Sequence, residues 1–460
     1  MKRREFIRNG GIAALLAGVG GCFSIGAKGA SRKVNVAMIG VGGRGAQLVD
    51  AFWKFHGLFN LVAVCDTDIE RTGKFPNGEI PFRRFGDAPR YSDFRKMLDR
   101  HANELDAVVI ATPDCTHFPI AMAAMDLGLH VYCEKPLAHA YDEVRAMAAM
   151  AERRHVITQM GNQGHTGKHY DQVKFLAEQG FLKGVKRIDC FMNLPRRWHK
   201  WNGRVPPEAS AAQPVPKWLD WDLWLAHNPY RPFNSGYLDG NWRAWYCFGC
   251  GVLGDWGVHI FDCLHEFMGL GLPDRIEVLD LKGATGANPP MSATMRFHFP
   301  NGVELNWREG VDNLPEFVVE NKERGLTPGK VVYLPDGTVL RGTSHETPLH
   351  IARGGSDALE DAIDDYPRDR RWNHYEAFIR AILGECRTHS DFRSAADVSK
   401  LVSLGCIAQA LGRTLDFDVK AERFVNDDEA NALLKIPSRP EWKGFKGWPQ
   451  FSAHTGGFMP

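Results

Sequence analysis

One short stretch limits this chain more than any other. The apolar run Val34-Asn35-Val36-Ala37-Met38-Ile39 ends in Gly40-Val41-Gly42-Gly43-Arg44-Gly45, and a helix-compatible segment follows. Glycines at the first, third and sixth places permit a tight turn. They also let backbone N–H groups approach a pyrophosphate and let the helix pack closely on the strand. A second apolar run, Leu61-Val62-Ala63-Val64-Cys65, ends in Asp66. An acid at that distance can accept both hydroxyls of an adenosine ribose. A strand, glycine turn, helix and acid in this order predict a doubly wound parallel sheet that binds a dinucleotide.

Two further apolar runs, residues 107–111 and 129–133, read as buried parallel strands. Ligands of such a sheet bind beyond the carboxyl ends of its strands. Thr112-Pro113-Asp114 with His117, and Glu134-Lys135-Pro136, fall at those ends. Strand and helix signals alternate to about residue 158, with an amphipathic helix over 141–154 and a last strand over 155–160. A helix over 170–179 and a strand over 185–193 follow, then a long stretch dense in tryptophan and proline. From 275 to about 343 the pattern is strands joined by turns, with Asn301-Gly302 and Asp336-Gly337 as hairpin signals. Helices over 373–383 and 395–411 complete the core, and residues 419–460 read as an extended arm. The expected units are thus a leader (1–30), a Rossmann domain (31–158), an α+β domain with a mostly antiparallel open-faced sheet (159–418) and the arm.

Composition narrows the function. The formal net charge is +1, with no basic block, so nucleic acid is not an expected partner. No apolar run reaches the ~20 residues that span a bilayer. Arg3-Arg4-Glu5-Phe6-Ile7 before a modest apolar run forms a twin-arginine pattern, which predicts export of the folded chain to the periplasm. Cys22, after Val19-Gly20-Gly21, is a candidate lipid-anchoring cysteine. The ten cysteines are scattered. Only Cys247-Phe248-Gly249-Cys250 has tight spacing, with Cys263, His259 and His265 nearby, and it reads as plain thiols or a disulfide more readily than as a metal site.

Ala111-Thr112-Pro113 with His117, Glu134-Lys135-Pro136, Gly161-Asn162-Gln163-Gly164-His165, Trp221-Asp222-Leu223-Trp224-Leu225 and Gly254-Asp255-Trp256-Gly257-Val258-His259 occur in that order. The set resembles the glucose–fructose oxidoreductase, inositol dehydrogenase and rhizopine-catabolism family (Gfo/Idh/MocA), over nearly everything after the leader. The resemblance implies oxidation of a hydroxyl on a sugar, sugar derivative or cyclitol by a nicotinamide dinucleotide, and a homo-oligomer is expected. It also implies that Lys135, Asp255 and His259 surround the reacting carbon. An ammonium there stabilises a developing alkoxide, and a carboxylate four residues before a histidine on one helical face can orient the imidazole for proton transfer.

The expected cofactor contacts are Gly40, Gly42, Gly43, Arg44, Gly45, Asp66, Thr112, Pro113, His117, Glu134, Lys135 and Asn162. Those for substrate are Lys135, Gln163, His165, Trp198, Arg243, Trp245 and His259. No metal ligand set is expected. Asp66 would repel a 2′-phosphate, which favours NAD over NADP, although Arg44 and Arg71 argue the other way. An exported enzyme has little free NAD around it, so the cofactor must be held tightly. At a Kd of ~1 nM and an ordinary association rate it would leave in roughly a quarter of an hour. A cofactor recycled in place also admits a second chemistry: glycoside cleavage by transient oxidation, elimination, water addition and re-reduction.

Overall fold

The computed structural model describes residues 32–68, 88–194, 211–283, 286–321, 328–343, 347–369 and 372–442. The twin-arginine leader, Cys22, Arg71 and Trp198 lie outside them. Six parallel strands form the first sheet: β1 (Val34–Ile39), β2 (Phe59–Cys65), β3 (Arg90–Tyr91), β4 (Ala107–Ile110), β5 (His130–Cys133) and β6 (Thr158–Met160). Their spatial order is β3-β2-β1-β4-β5-β6. The chain runs outward from β1 to β3 and then returns to β4 on the other side of β1, where Val36 faces Ala107 and Ile39 faces Ile110. The crevice at that reversal is where such sheets take their ligand.

Helices α1 (Gly43–Trp53), α2 (Phe94–His101), α3 (His117–Asp126) and α4 (Tyr141–Arg154) connect these strands. Every residue of β4 is buried, as a strand covered on both faces requires. Each fully buried Val or Ile there contributes about 1.5–3 kcal/mol of transfer free energy. Helix α4 has Asp142 and Glu143 in its first turn and Arg153 and Arg154 in its last. Both sets complement the helix dipole and support the helix that the amphipathic pattern predicts.

The second sheet has nine strands: β7 (Arg187–Met192), β8 (Arg275–Lys282), β9 (Ser292–His298), β10 (Glu304–Glu309), β11 (Gly329–Tyr333), β12 (Val339–Thr343), β13 (His350–Arg353), β14 (Leu415–Asp418) and β15 (Arg423–Phe424). Their order is β13-β12-β11-β7-β10-β9-β8-β14-β15. All pairs are antiparallel except β7 with β10. Gly302 and Gly337 take positive φ (78° and 88°) in the two hairpins that Asn-Gly and Asp-Gly announced.

Helices α5 (Lys168–Glu178) and α8 (Phe392–Leu411) both pack on α6 (Val258–Phe267), α6 and α8 pack against this sheet, and α7 (His374–Ile382) packs on α1. The expected arm is in part integrated. β15 extends the sheet, and Trp442 stacks on Phe94 of α2 with the Arg95 guanidinium 4.2 Å from its ring. Among the described residues no helix is long and apolar enough to cross a membrane.

Candidate active site

A single cleft of about 1010 Å³ runs from the glycine turn to the start of α6. At one end the glycine turn forms its floor. Gly40 has φ 78°, and a Cβ there would lie 2.7 Å from the Ala111 carbonyl; a Cβ on Gly45 would lie 1.9 Å from the Gly40 oxygen. Only glycine fits either place, so the turn stays tight and α1 packs close on the strands, the arrangement that brings backbone N–H groups to a diphosphate. Asp66, at the end of β2, accepts from Val41 N (2.9 Å) and Asp68 N (3.0 Å). Burial raises its pKa above the ordinary carboxylate value, and these backbone donors oppose the shift. The residues present fit a dinucleotide.

Arg44 turns away from the ribose end. Its guanidinium reaches Glu134 (3.1 Å), Gln47 (3.0 Å) and the Tyr375 hydroxyl (3.1 Å). Gln163 donates to the same Glu134 oxygen at 3.2 Å, so one carboxylate ties the glycine turn, the end of β5 and the loop after β6 together.

At the other end three charges converge. The Lys135 ammonium donates to the Asp255 carbonyl (2.7 Å) and pairs with the Asp255 carboxylate. Arg243 reaches the same carboxylate oxygen at 3.3 Å, its guanidinium 4.0 Å from the centre of the Trp242 ring. The Lys135 and Asp255 side chains are only 12% and 18% exposed, so the pair is weakly screened. Lys135 precedes a cis proline, Pro136. Asp255 lies in a π-helical turn, Leu253–Gly257, that runs directly into α6. That turn changes the geometry expected of the four-residue spacing from Asp255 to His259, because its hydrogen bonds skip one residue more than those of an α-helix. His259, 8% exposed, lines the cleft beside Trp256 (ring centres 5.8 Å apart).

The cleft wall contains Gly40, Gly42, Gly43, Arg44, Asp66, Thr112, Pro113, Glu134, Lys135, Gln163, Arg243, Asp255 and His259. Gly45 lies just behind it. Four other expected residues lie outside this wall. His117 is buried, with its ring nitrogens 2.9 Å from the Pro136 carbonyl and 3.1 Å from the Thr112 carbonyl. Burial lowers its pKa to about 4, so the neutral imidazole has one N–H and donates to one of these two carbonyls from below the cleft. Asn162 is buried and bonds Asp262. His165 faces Asp262 (3.4 Å) and Glu266 (3.3 Å) and lies against Tyr170, ring centres 4.0 Å apart. Both therefore hold α6 in place instead of lining the cleft. Ligand atoms of His165, Asp262 and Glu266 lie within 4.8 Å of one another, as a metal would need, though ion pairing and the Asn162 donor already account for the arrangement. Trp245 packs edge-on to Tyr237 at 5.2 Å, inside an aromatic cluster with Trp221, Trp224 and Phe248. Cys247 and Cys250 are separate thiols.

The sequence reading missed Asp114 as a site residue, and with it Trp242 and Trp256. All three line the cleft. Asp114 was visible at the end of β4, but nothing local distinguished it from a turn-forming aspartate.

Two family models match this chain. The "oxidoreductase family, NAD-binding Rossmann fold" model covers residues 34–162, and the "oxidoreductase family, C-terminal alpha/beta domain" model covers 166–281 and 356–444. The chain belongs to the Gfo/Idh/MocA oxidoreductase family. Among its relatives, a "Glycosyl hydrolase family 109 protein 2" of Shewanella sp. (strain ANA-3) is 36% identical over 26% of each chain. A "UDP-N-acetylglucosamine 3-dehydrogenase" of Acidithiobacillus ferrooxidans is 30% identical over 28% of this chain and 36% of its own. The matched segments thus span about a quarter to a third of these relatives. The solved WlbA dehydrogenase of Chromobacterium violaceum, in complex with NADH and UDP-GlcNAcA, shares the fold: TM-score 0.59 and 15% identity, over 85% of this chain and 97% of its own.

Proposed function

We propose that this protein oxidises a hydroxyl of a sugar, sugar derivative or cyclitol, using a tightly held nicotinamide dinucleotide. One observation carries the reading: a single cleft joins the glycine cradle and Asp66 to Lys135, Asp255, Arg243 and His259. The nicotinamide, when bound, supplies the hydride acceptor. The chain's own residues do the rest. Lys135, fixed by Asp255, presents an ammonium to the substrate oxygen, and His259 is the group that takes its proton. Trp242 and Trp256 offer flat apolar faces to a sugar ring. NAD is favoured over NADP because Asp66 would face a 2′-phosphate while Arg44 is engaged by Glu134.

Mass spectrometry of small molecules released from the denatured protein tests cofactor identity and retention. Recovery of NAD at near one equivalent supports the reading, and recovery of none overturns tight binding. A panel of sugars and cyclitols, read by cofactor reduction, tests the activity. The twin-arginine pattern supports a periplasmic location, and fractionation that finds full-length chain only in the cytosol would refute it. A second reading, glycoside cleavage by transient oxidation and elimination, is supported by the glycosyl hydrolase relatives and by Asp114, a further carboxyl near Lys135 in the cleft.

A further inference from the structure

Seven carboxylates line the described part of the cleft: Asp66, Asp68, Asp93, Asp114, Glu134, Asp239 and Asp255. Those near the chemistry are mostly engaged. Glu134 is paired with Arg44, and Asp255 with both Lys135 and Arg243. Asp114 differs. It is 4% exposed, opens the turn after β4, accepts on Oδ2 from the Cys250 N–H at 3.2 Å, and is also hydrogen-bonded to the Cys250 side chain. No ion pair among the described residues occupies it, yet it stands within electrostatic reach of Arg243, Lys135 and Asp255. The thiols of Cys250, Cys115 and Cys133 are also near it, and His117 follows within the same turn. Burial raises its pKa to about 7, against the pull of the two cations.

Oxidation of a carbinol needs one base, and His259 meets that need. A second carboxyl free of ion pairs beside the same lysine is surplus to a simple dehydrogenase. We propose that Asp114 is the base that removes a carbon-bound proton from the carbon next to the oxidised one. This rests on the second reading above. In the step, the C–H bond breaks and its proton forms an O–H bond on the Asp114 carboxylate. The electron pair becomes a C=C bond, and the former carbonyl oxygen carries the enolate charge towards the Lys135 ammonium. When the carbonyl reforms, the C–O bond to the leaving group on the following carbon breaks, and that group departs as an alkoxide that takes a proton from water. The hydroxide so formed adds to the resulting enone, the new enolate takes the proton back from Asp114 onto carbon, and the carboxylate is restored.

The test supplies the ketone directly, so its readout does not depend on cofactor turnover. Methyl 2-, 3- and 4-keto-glucopyranosides are incubated with the enzyme in deuterated water, and loss of the proton signal beside the carbonyl is followed by NMR against an enzyme-free control. The native enzyme should exchange that proton on at least one of them. Asp114→Asn should slow the exchange by about 10²–10⁴-fold, and Asp114→Glu should restore part of it. Cofactor reduction by a carbinol substrate should fall far less than exchange does. Melting curves and NAD titration show whether each variant is folded. Exchange in a folded Asp114→Asn variant within tenfold of native overturns the proposal. So does an enzyme that reduces cofactor with a carbinol but exchanges none of the three ketones, and in that case the oxidoreductase reading stands. Absence of cofactor reduction with every sugar would sink the reading beneath it instead.

Discussion

Replacing Lys135 by Met keeps the aliphatic stem and removes only the charge. Lys135 bonds both the backbone oxygen and the carboxylate of Asp255, and the two side chains are 12% and 18% exposed. Breaking a fully buried pair costs about 3–5 kcal/mol because the remaining charge is stranded. Here Arg243 stays 3.3 Å from the same oxygen, and the pair is partly solvated, so the expected loss of stability is only about 1–2 kcal/mol. The effect on turnover should be larger. Loss of a preorganised donor to a developing alkoxide costs about 10²–10³-fold, and loss of a coupled proton-transfer unit up to about 10⁴-fold. The cofactor should remain bound, since the glycine cradle and Asp66 lie at the other end of the cleft. Denaturant titration, released-cofactor analysis and single-turnover hydride transfer measure the three quantities separately. In combination with His259→Ala the losses should be less than additive, because groups that act as one unit do not contribute independently. A folded, cofactor-loaded Lys135→Met protein with turnover within tenfold of native would refute the assignment.

Gly45→Ala would place a Cβ 1.9 Å from the Gly40 oxygen, so the variant should lose cofactor retention before it loses its fold. A variant still purifying with a full equivalent of NAD would show that the turn is not the cradle. Asp66→Ala should narrow any preference for NAD over NADP, as read by the ratio of the two dissociation constants, and equal affinities in the native protein would remove its basis. Two buried groups make opposite pH predictions. His117 is held neutral with a pKa lowered to about 4, so the unfolded chain takes up its proton first as pH falls below about 6.5. The stability advantage of native protein over His117→Asn should therefore shrink by about 3 kcal/mol between pH 7 and pH 4. Asp114 is raised to about 7, so its folded form holds a proton that the unfolded chain has released. Relative to Asp114→Asn, native protein should lose stability as pH rises from about 4 to 7. Denaturant midpoints across that range check both signs.

Much of the fold was legible because its signals are local. The residue order strand, glycine turn, helix and acid needs only short-range sterics and periodicity. The 141–154 helix was marked by its amphipathic period, and two hairpins by Asn-Gly and Asp-Gly. Edge strands β13 and β15, and β14 beside the latter, were missed because runs of two to four residues are too short to stand out, even where Leu415 and Phe417 alternate with Asp416 and Asp418.

The site divides along the same line. Sequence by itself determined which residues stand at strand ends, and so that Lys135 and Asp66 would share one crevice. Only the tertiary structure decided their partners. It brought Asp255 to Lys135 across 120 residues and added Arg243 to the same oxygen. It also drew Asp114 into the cluster, and it turned His117, Asn162 and His165 inward to brace loops and α6. The physical reason is that backbone preference and hydrophobic period act over a few residues. A polar side chain's role depends instead on which donors and acceptors the folded chain places within about 3 Å of it.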